Sequence, residues 1–353
     1  MATSGADGPR HAHLRLAVIG CGERGAALAS AIGQTGNTRL SLVMDAEPTA
    51  ARALGERLRV PWTTSLDEIV GSPEVDAVVI STPHDLHAPQ AISAAKARKH
   101  IIVEKPLATS LSDAVAMVRT ARACDVRLSA VLSYRYLPHV QHARKLIAGG
   151  VLGQLLGASL IFQRDGPQSG WRVRRRSSGG GVLINQTIHY LDWLRFLSGV
   201  EPAAVSAYHA IADGTGDVED TAVMWIHFGN GALGTVNAAL CARGTGSAGD
   251  LVECRLWGRD GHISLTPPYQ FYSLRLVDGK RPGQWHAFAG QRQSSNRDVV
   301  YLQRFAERVL SGQEPEITGE DGLAVQALVE AAYRSAEAGH AVRVEREPWT
   351  NVT

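Results

Sequence analysis

The chain has 353 residues, with 36 basic and 34 acidic side chains and a formal net charge of +2. That length suits two domains and a core that needs no disulfide or metal staple. The near-neutral charge excludes a polybasic nucleic-acid binder. No apolar run approaches the roughly 18 residues of a membrane span, and residues 1–13 lack the apolar stretch of a signal peptide.

In chain order, residues 1–13 read as a disordered lead-in, small and polar. Leu14–Ile19 is a short apolar run ending in glycines, followed by helical spacing over 26–32. Apolar strands follow at 40–44, 75–80, 101–103 and 127–132, separated by helical stretches at 49–58, 89–99 and 110–124. Strands alternating with helices of this length build a parallel sheet. The pattern then changes. A helix at 137–149 leads to a glycine- and arginine-rich loop over 164–181 and a helix over 188–197. From 203 to 276 strands dominate. Asn230-Gly231 reads as a two-residue hairpin turn between 223–228 and 232–237, and Asp260-Gly261 repeats that signal between 254–257 and 262–265. Two helices, at 299–311 and 323–338, close the chain. The predicted fold is an α/β Rossmann domain with a parallel sheet (14–133). An α+β C-terminal domain (134–353) follows, with a large, mainly antiparallel, open-faced sheet.

Cysteines stand at 21, 124, 241 and 254, with no C-x-x-C spacing and no zinc pattern. They read as reduced thiols of a cytoplasmic protein, with Cys21 as buried filler. No metal site is expected.

Gly20-Cys21-Gly22-Glu23-Arg24-Gly25 follows the first strand and opens the first helix. In that context G-x-G-x-x-G is a dinucleotide fingerprint: Gly20 for the tight turn, Gly22 for close approach of a pyrophosphate, Gly25 for helix–strand packing. Asp45 lies 20 residues past Gly25. A carboxylate there binds ribose hydroxyls and repels a 2′-phosphate, which favours NAD over NADP; it can also start the next helix.

Three segments together resemble the glucose-fructose oxidoreductase / inositol dehydrogenase (Gfo/Idh/MocA) family. They are the glycine loop with Asp45, the run from Ser81-Thr82-Pro83-His84-Asp85-Leu86-His87 to Glu104-Lys105-Pro106, and 179–192 with Asn185 and His189. The resemblance spans residues 14–344. It implies an NAD(P)-dependent oxidoreductase moving hydride between nicotinamide and a secondary hydroxyl or ketone of a sugar, sugar derivative or cyclitol. The same site could instead use retained NAD for net epimerisation or elimination, and a non-catalytic NAD-binding regulator is a rival reading. Gly20, Gly22, Glu23, Arg24, Gly25, Asp45, Ser81, Thr82, His84, His87, Glu104 and Lys105 are the expected cofactor contacts. The family's Lys–Pro bond tends to be cis, and Lys105 is expected to point at the nicotinamide and the substrate hydroxyl.

The family usually has Asp or Asn four residues before its helical histidine. Asn185 cannot ionise, which leaves His189 as the expected acid/base and Lys105 as its electrostatic partner. Trp171 and Arg172 suit a sugar ring; the other loop arginines read as solvated. Arg135 either lines the cleft or makes an interdomain salt bridge. His84 stands where the family commonly has Asn, and Arg98 where it usually has glycine. His87 either packs near the nicotinamide or caps its helix. The expected partners are a small-molecule substrate and a second subunit through the open sheet face, giving a homodimer or homotetramer, with no nucleic acid and no membrane.

Overall fold

The computed structural model describes residues 13–166, 168–214, 216–245, 250–288 and 296–345. The expected lead-in lies, but for His13, outside them. Six parallel strands form the first sheet: β1 (Leu14–Ile19), β2 (Thr38–Met44), β3 (Trp62–Thr63), β4 (Ala77–Ile80), β5 (His100–Val103) and β6 (Leu128–Ala130). Their order is β3-β2-β1-β4-β5-β6. The chain reverses direction across the sheet between β1 and β4, which opens a crevice at their carboxyl ends. Helices α1 (Glu23–Ile32), α2 (Pro48–Leu58), α3 (Leu66–Gly71), α4 (His87–Lys96) and α5 (Leu111–Ala123) are the crossovers. β1, β4 and β5 are almost wholly buried, as strands covered on both faces must be.

α4 begins at His87, two residues earlier than its spacing suggests, because a single 3₁₀ turn at His84–Leu86 runs into it. It stops at Lys96, and Arg98 then takes φ 61°. That is the left-handed region favouring glycine, the residue usual at this position in the resembling family.

After α6 (Pro138–Ala148) comes β7 (Leu155–Gln163), which no alternation signal announces. It is the centre of the second sheet. A short α7 (Arg175–Ser178), a turn of π-helix at Leu183–Thr187 and α8 (Ile188–Ser198) follow. Then come β8 (Pro202–Ala210), β9 (Thr221–Phe228), β10 (Leu233–Ala239), β11 (Leu251–Gly258), β12 (Gly261–Ser264), β13 (Gln270–Ser273) and β14 (Gln284–Ala287). Helices α9 (Arg297–Leu310) and α10 (Gly319–Ala338) precede a final short β15 (Val342–Arg343). The strand order is β14-β13-β12-β11-β7-β10-β9-β8-β15. Every pairing is antiparallel except β7 with β10. The Asn230-Gly231 turn is longer than a two-residue hairpin. Phe228 N donates to Ala232 O at 2.9 Å and only Gly231 has positive φ, at 87°. A three-residue turn with its last residue left-handed matches that pattern.

The closing helices do not stay with the second sheet. α9 packs on α1, and α10 touches α5 and β6 as well as β8. They lock the two sheets together. All four cysteines are free thiols. No described helix is long and apolar enough to cross a membrane.

The glycine run before α8 has a packing cause. Glu219 is buried, and its carboxylate accepts from Gly181 N at 2.8 Å, Leu183 N at 3.2 Å and the Tyr333 hydroxyl at 2.7 Å. A Cβ on Gly181 would lie 1.7 Å from the Glu219 carbonyl oxygen, and one on Gly180 would lie 2.1 Å from the Tyr333 hydroxyl. Gly181→Ala must therefore displace backbone. We expect it to cost about 3 kcal/mol, read as a lower urea midpoint, while Ala at the open position Gly36, where φ is not positive, should cost far less. Equal midpoints for the two variants would refute this account.

Candidate active site

The glycine loop has the geometry its spacing implies. Gly20 takes φ 97° beneath Ser81, and a Cβ on Gly25 would lie 1.8 Å from Gly20 O. Nothing lies within 4 Å of a Cβ built on Gly22, so the backbone there is open to a ligand. The first N–H groups of α1 face that space, a ready cradle for a pyrophosphate. Asp45 ends β2. Its carboxylate accepts from Cys21 N at 2.7 Å and from Glu47 N at 3.0 Å, which ties the loop to the start of α2. These features fit a dinucleotide.

A cavity of about 220 Å³ opens beside this loop. Ser81, Thr82, His84, Glu104 and Lys105 form its wall on the parallel-sheet side, with Arg24 from the loop. Trp171, Arg172, Asn185, Gln186 and His189 come from the second sheet's side, with Tyr134 and Arg297. The expected Lys105, His189, Asn185, Trp171 and Arg172 thus meet in one place.

The Lys105–Pro106 peptide is cis. The Lys105 ammonium donates to the backbone carbonyl of Asn185. The amide side chain of Asn185 instead donates to Gly180 O at 2.9 Å. Asn185 thus holds the lysine by main chain, which the helical spacing does not suggest. The cause is local: Asn185 lies in the π-turn, where the helix widens. Burial pushes the Lys105 ammonium down to about 8, against the pull of Glu104 and with help from Arg24 and Arg172. Glu104 is itself held by Arg24, Nε to Oε1 at 2.5 Å.

His189 is buried and stacks on Tyr134, with centroids 4.0 Å apart and planes 3° from parallel. Its Nδ1 has no hydrogen-bond partner among the described residues. Burial, then the charges of Lys105, Arg297, Arg24 and Arg164, hold the imidazole well below its usual range, so it is neutral at physiological pH. His84 is buried too, and its Nδ1 donates to Ser178 O at 2.8 Å. Its ring meets Trp171 edge-on at 4.6 Å. It braces the substrate-side loop while facing the cavity.

Some of the expected residues lie outside this cavity's lining. His87 neither caps α4 nor lines the cavity. Its Nδ1 and Nε2 lie 2.9 Å from Pro106 O and 3.0 Å from Thr82 O, so it pins the two strand-end loops together. Arg135 does not reach the cavity. It is buried, with two hydrogen bonds to Asp192 at 2.7 and 2.6 Å and one to Asp321 at 2.9 Å, which is the salt-bridge alternative. Glu23 is exposed on α1 and takes no part in the wall. Arg174, Arg175 and Arg176 are exposed, as expected of a solvated loop.

Tyr134, Gln186 and Arg297 line the cavity without having been singled out by sequence. Tyr134 and Gln186 sit beside residues that were. Arg297 lies more than a hundred positions beyond His189, and no local pattern marks it.

Residues 14–131 match the oxidoreductase family with an NAD-binding Rossmann fold, and residues 140–264 match the GFO/IDH/MocA C-terminal domain. The 1,5-anhydro-D-fructose reductase of Ensifer adhaerens is 31% identical, over 89% of this chain and 93% of its own. The chain belongs to the GFO/IDH/MocA oxidoreductase family. The myo-inositol 2-dehydrogenase of Thermotoga maritima is 27% identical over 94% of this chain and 99% of its own. A levoglucosan dehydrogenase solved with NADH and levoglucosan superposes with a TM-score of 0.85 at 25% identity, covering 95% of this chain and 100% of that one.

In this GFO/IDH/MocA member a carboxylate at Asp45 that met the adenosine ribose would repel a 2′-phosphate. NADH should bind more tightly than NADPH by fluorescence titration, and Asp45→Ser should narrow the gap. Tighter NADPH binding by the wild type would remove this role.

Proposed function

We propose that the protein is an NAD-dependent oxidoreductase that interconverts a secondary hydroxyl and a ketone on a sugar, sugar derivative or cyclitol. The carrying observation is the meeting of Lys105 and His189 in a cavity beside the dinucleotide loop. When bound, NAD takes up or supplies the hydride. Gly20, Gly22, Gly25, Asp45, Ser81 and Thr82 would hold it.

The chain's own work is proton transfer, orientation and exclusion of water. A general base works best with a pKa near the working pH. Lys105, at about 8, meets that condition. His189, held neutral, does not gain a proton readily. We therefore assign the proton to Lys105 Nζ and give neutral His189 the orienting of the hydroxyl by hydrogen bond. This reverses the weighting that residue types alone suggest. In oxidation the unprotonated amine takes the hydroxyl proton; in reduction the ammonium returns it. Asn185, through its main-chain carbonyl, keeps Nζ in place.

Oxidation needs the amine, so kcat/KM for oxidation should rise with pH and level off above about 8. Lys105→Arg keeps a cation that cannot deprotonate. It should lower that rate by about 10²–10⁴-fold. His189→Asn should cost less and leave the inflection near its wild-type position. An inflection that survives Lys105→Arg and vanishes in His189→Asn would return the proton to the histidine.

The second sheet supports a homo-oligomer, dimer or dimer of dimers. Met224, Ile226 and Phe228 on β9 are buried beneath the helices, whereas Trp225 points outward and is 49% exposed. Tyr208, Leu233 and Trp257 on neighbouring strands join it around a concavity of about 600 Å³. Trp257 lies over Gly157, where a Cβ would come within 2.3 Å of its ring. Monomers rarely expose a contiguous apolar face of this kind. A two-fold pairing would bury the same patch on both copies. Light scattering at micromolar concentration should return at least twice the chain mass, and Trp225→Glu should shift it toward one chain. A monomeric wild type would end this assignment.

A further inference from the structure

The cavity beside Lys105 holds positive charge that the chain does not neutralise. The acids near it are already engaged. Glu104 accepts from Arg24 at 2.5 Å. Asp298 accepts from the same guanidinium at 2.6 and 3.0 Å and from Ser133 Oγ at 2.8 Å. Asp250 takes two hydrogen bonds from Arg164, at 2.6 and 2.7 Å.

Arg297 has no such partner. No carboxylate oxygen of the described residues lies within ion-pair distance of it, and its Nε is buried with no hydrogen-bond acceptor. Its guanidinium carbon sits 4.5 Å over the Tyr134 ring, and Tyr134 in turn stacks on His189. A guanidinium cannot shed its charge, so a partly buried one calls for an anion. The pyrophosphate of a dinucleotide already has the N–H groups behind Gly22, whereas Arg297 is built onto the aromatic that carries His189. A planar fork of donors suits a carboxylate or a phosphate.

We infer that the substrate is an anionic sugar or polyol, carrying a carboxylate or phosphate group, and that Arg297 receives this group while Lys105 and His189 address the hydroxyl. The inference rests on the oxidoreductase reading above.

The test uses the full chain saturated with NADH and calorimetric titration of three matched sets: hexuronates, hexose 6-phosphates and the neutral parent hexoses. At least one acid should bind about 30-fold more tightly than its neutral parent, the gain expected of a charge-assisted pair. A winning uronate identifies a carboxylate, and a winning hexose 6-phosphate a phosphate. The acid-over-neutral ratio should fall about tenfold or more in Arg297→Gln and recover in part in Arg297→Lys. NADH affinity serves as the folding check for both variants. Acids that bind no better than their neutral parents would overturn the inference from the wild type alone. So would an acid preference that Arg297→Gln leaves intact. Parallel assays of NAD⁺ reduction separate the two readings. Turnover of neutral sugars without acid preference sinks the anion site and keeps the oxidoreductase; tight acid binding without any turnover does the reverse.

Discussion

Lys105 is a cation held out of water with no carboxylate of its own. The nearest acid, Glu104, accepts from Arg24, and the ammonium donates to a main-chain carbonyl, that of Asn185. A carbonyl holds the ammonium less firmly than an ion pair would, so burial wins and the amine can lose its proton near neutrality. Much of the surrounding structure keeps that balance. The end of β5 sets the lysine backbone. His87 pins the loops on either side of it. The π-turn presents the Asn185 carbonyl, and the Glu219 carboxylate anchors that turn through Gly181 and Leu183.

The cleft exists only because two sheets meet, and buried polar links set how they meet. Arg135 joins the end of the first sheet to Asp192 on α8 and Asp321 on α10. Arg24 joins the glycine loop to Asp298 on α9. Gln326 on α10 donates to Ala108 O and Ser110 O, at 2.9 and 3.0 Å. Ser129 on β6 shares a hydrogen bond with Tyr301 on α9. Each has a narrow geometry and a high cost when broken, because the orphaned group stays buried. Apolar packing alone would tolerate sliding; these contacts do not.

The same network explains the electrostatics at the site. Burial first, and then the charges of Lys105, Arg297, Arg24 and Arg164, keep the His189 ring neutral. Two of those arginines are matched by acids from distant segments. The third faces the cavity unmatched, so the site is positive because of which acids are already paired, not because cations outnumber acids in the chain.

The sequence by itself determined the Rossmann half. Strand, glycine loop, helix and a following acid are local in the chain, and their spacing encodes the turn at Gly20 and the open backbone at Gly22. Lys105 and His189 were legible because each sits in a short motif at a strand end or on a helix. The centre of the second sheet was not legible. β7 is covered strongly enough that its alternation blurs, and its parallel pairing with β10 joins residues 76 apart, from Leu233 with Gly157 to Ala239 with Gln163. The tertiary structure alone decided between the alternatives for Arg135, and it gave His87 a place outside both of its own, since a side chain's partner depends on what folds beside it. It also decided how Asn185 holds Lys105, because a π-turn shifts the face that helical spacing assigns. Arg297 is the plainest case. Nothing near it in sequence marks it, and it reaches the site only because α9 folds back across the first sheet.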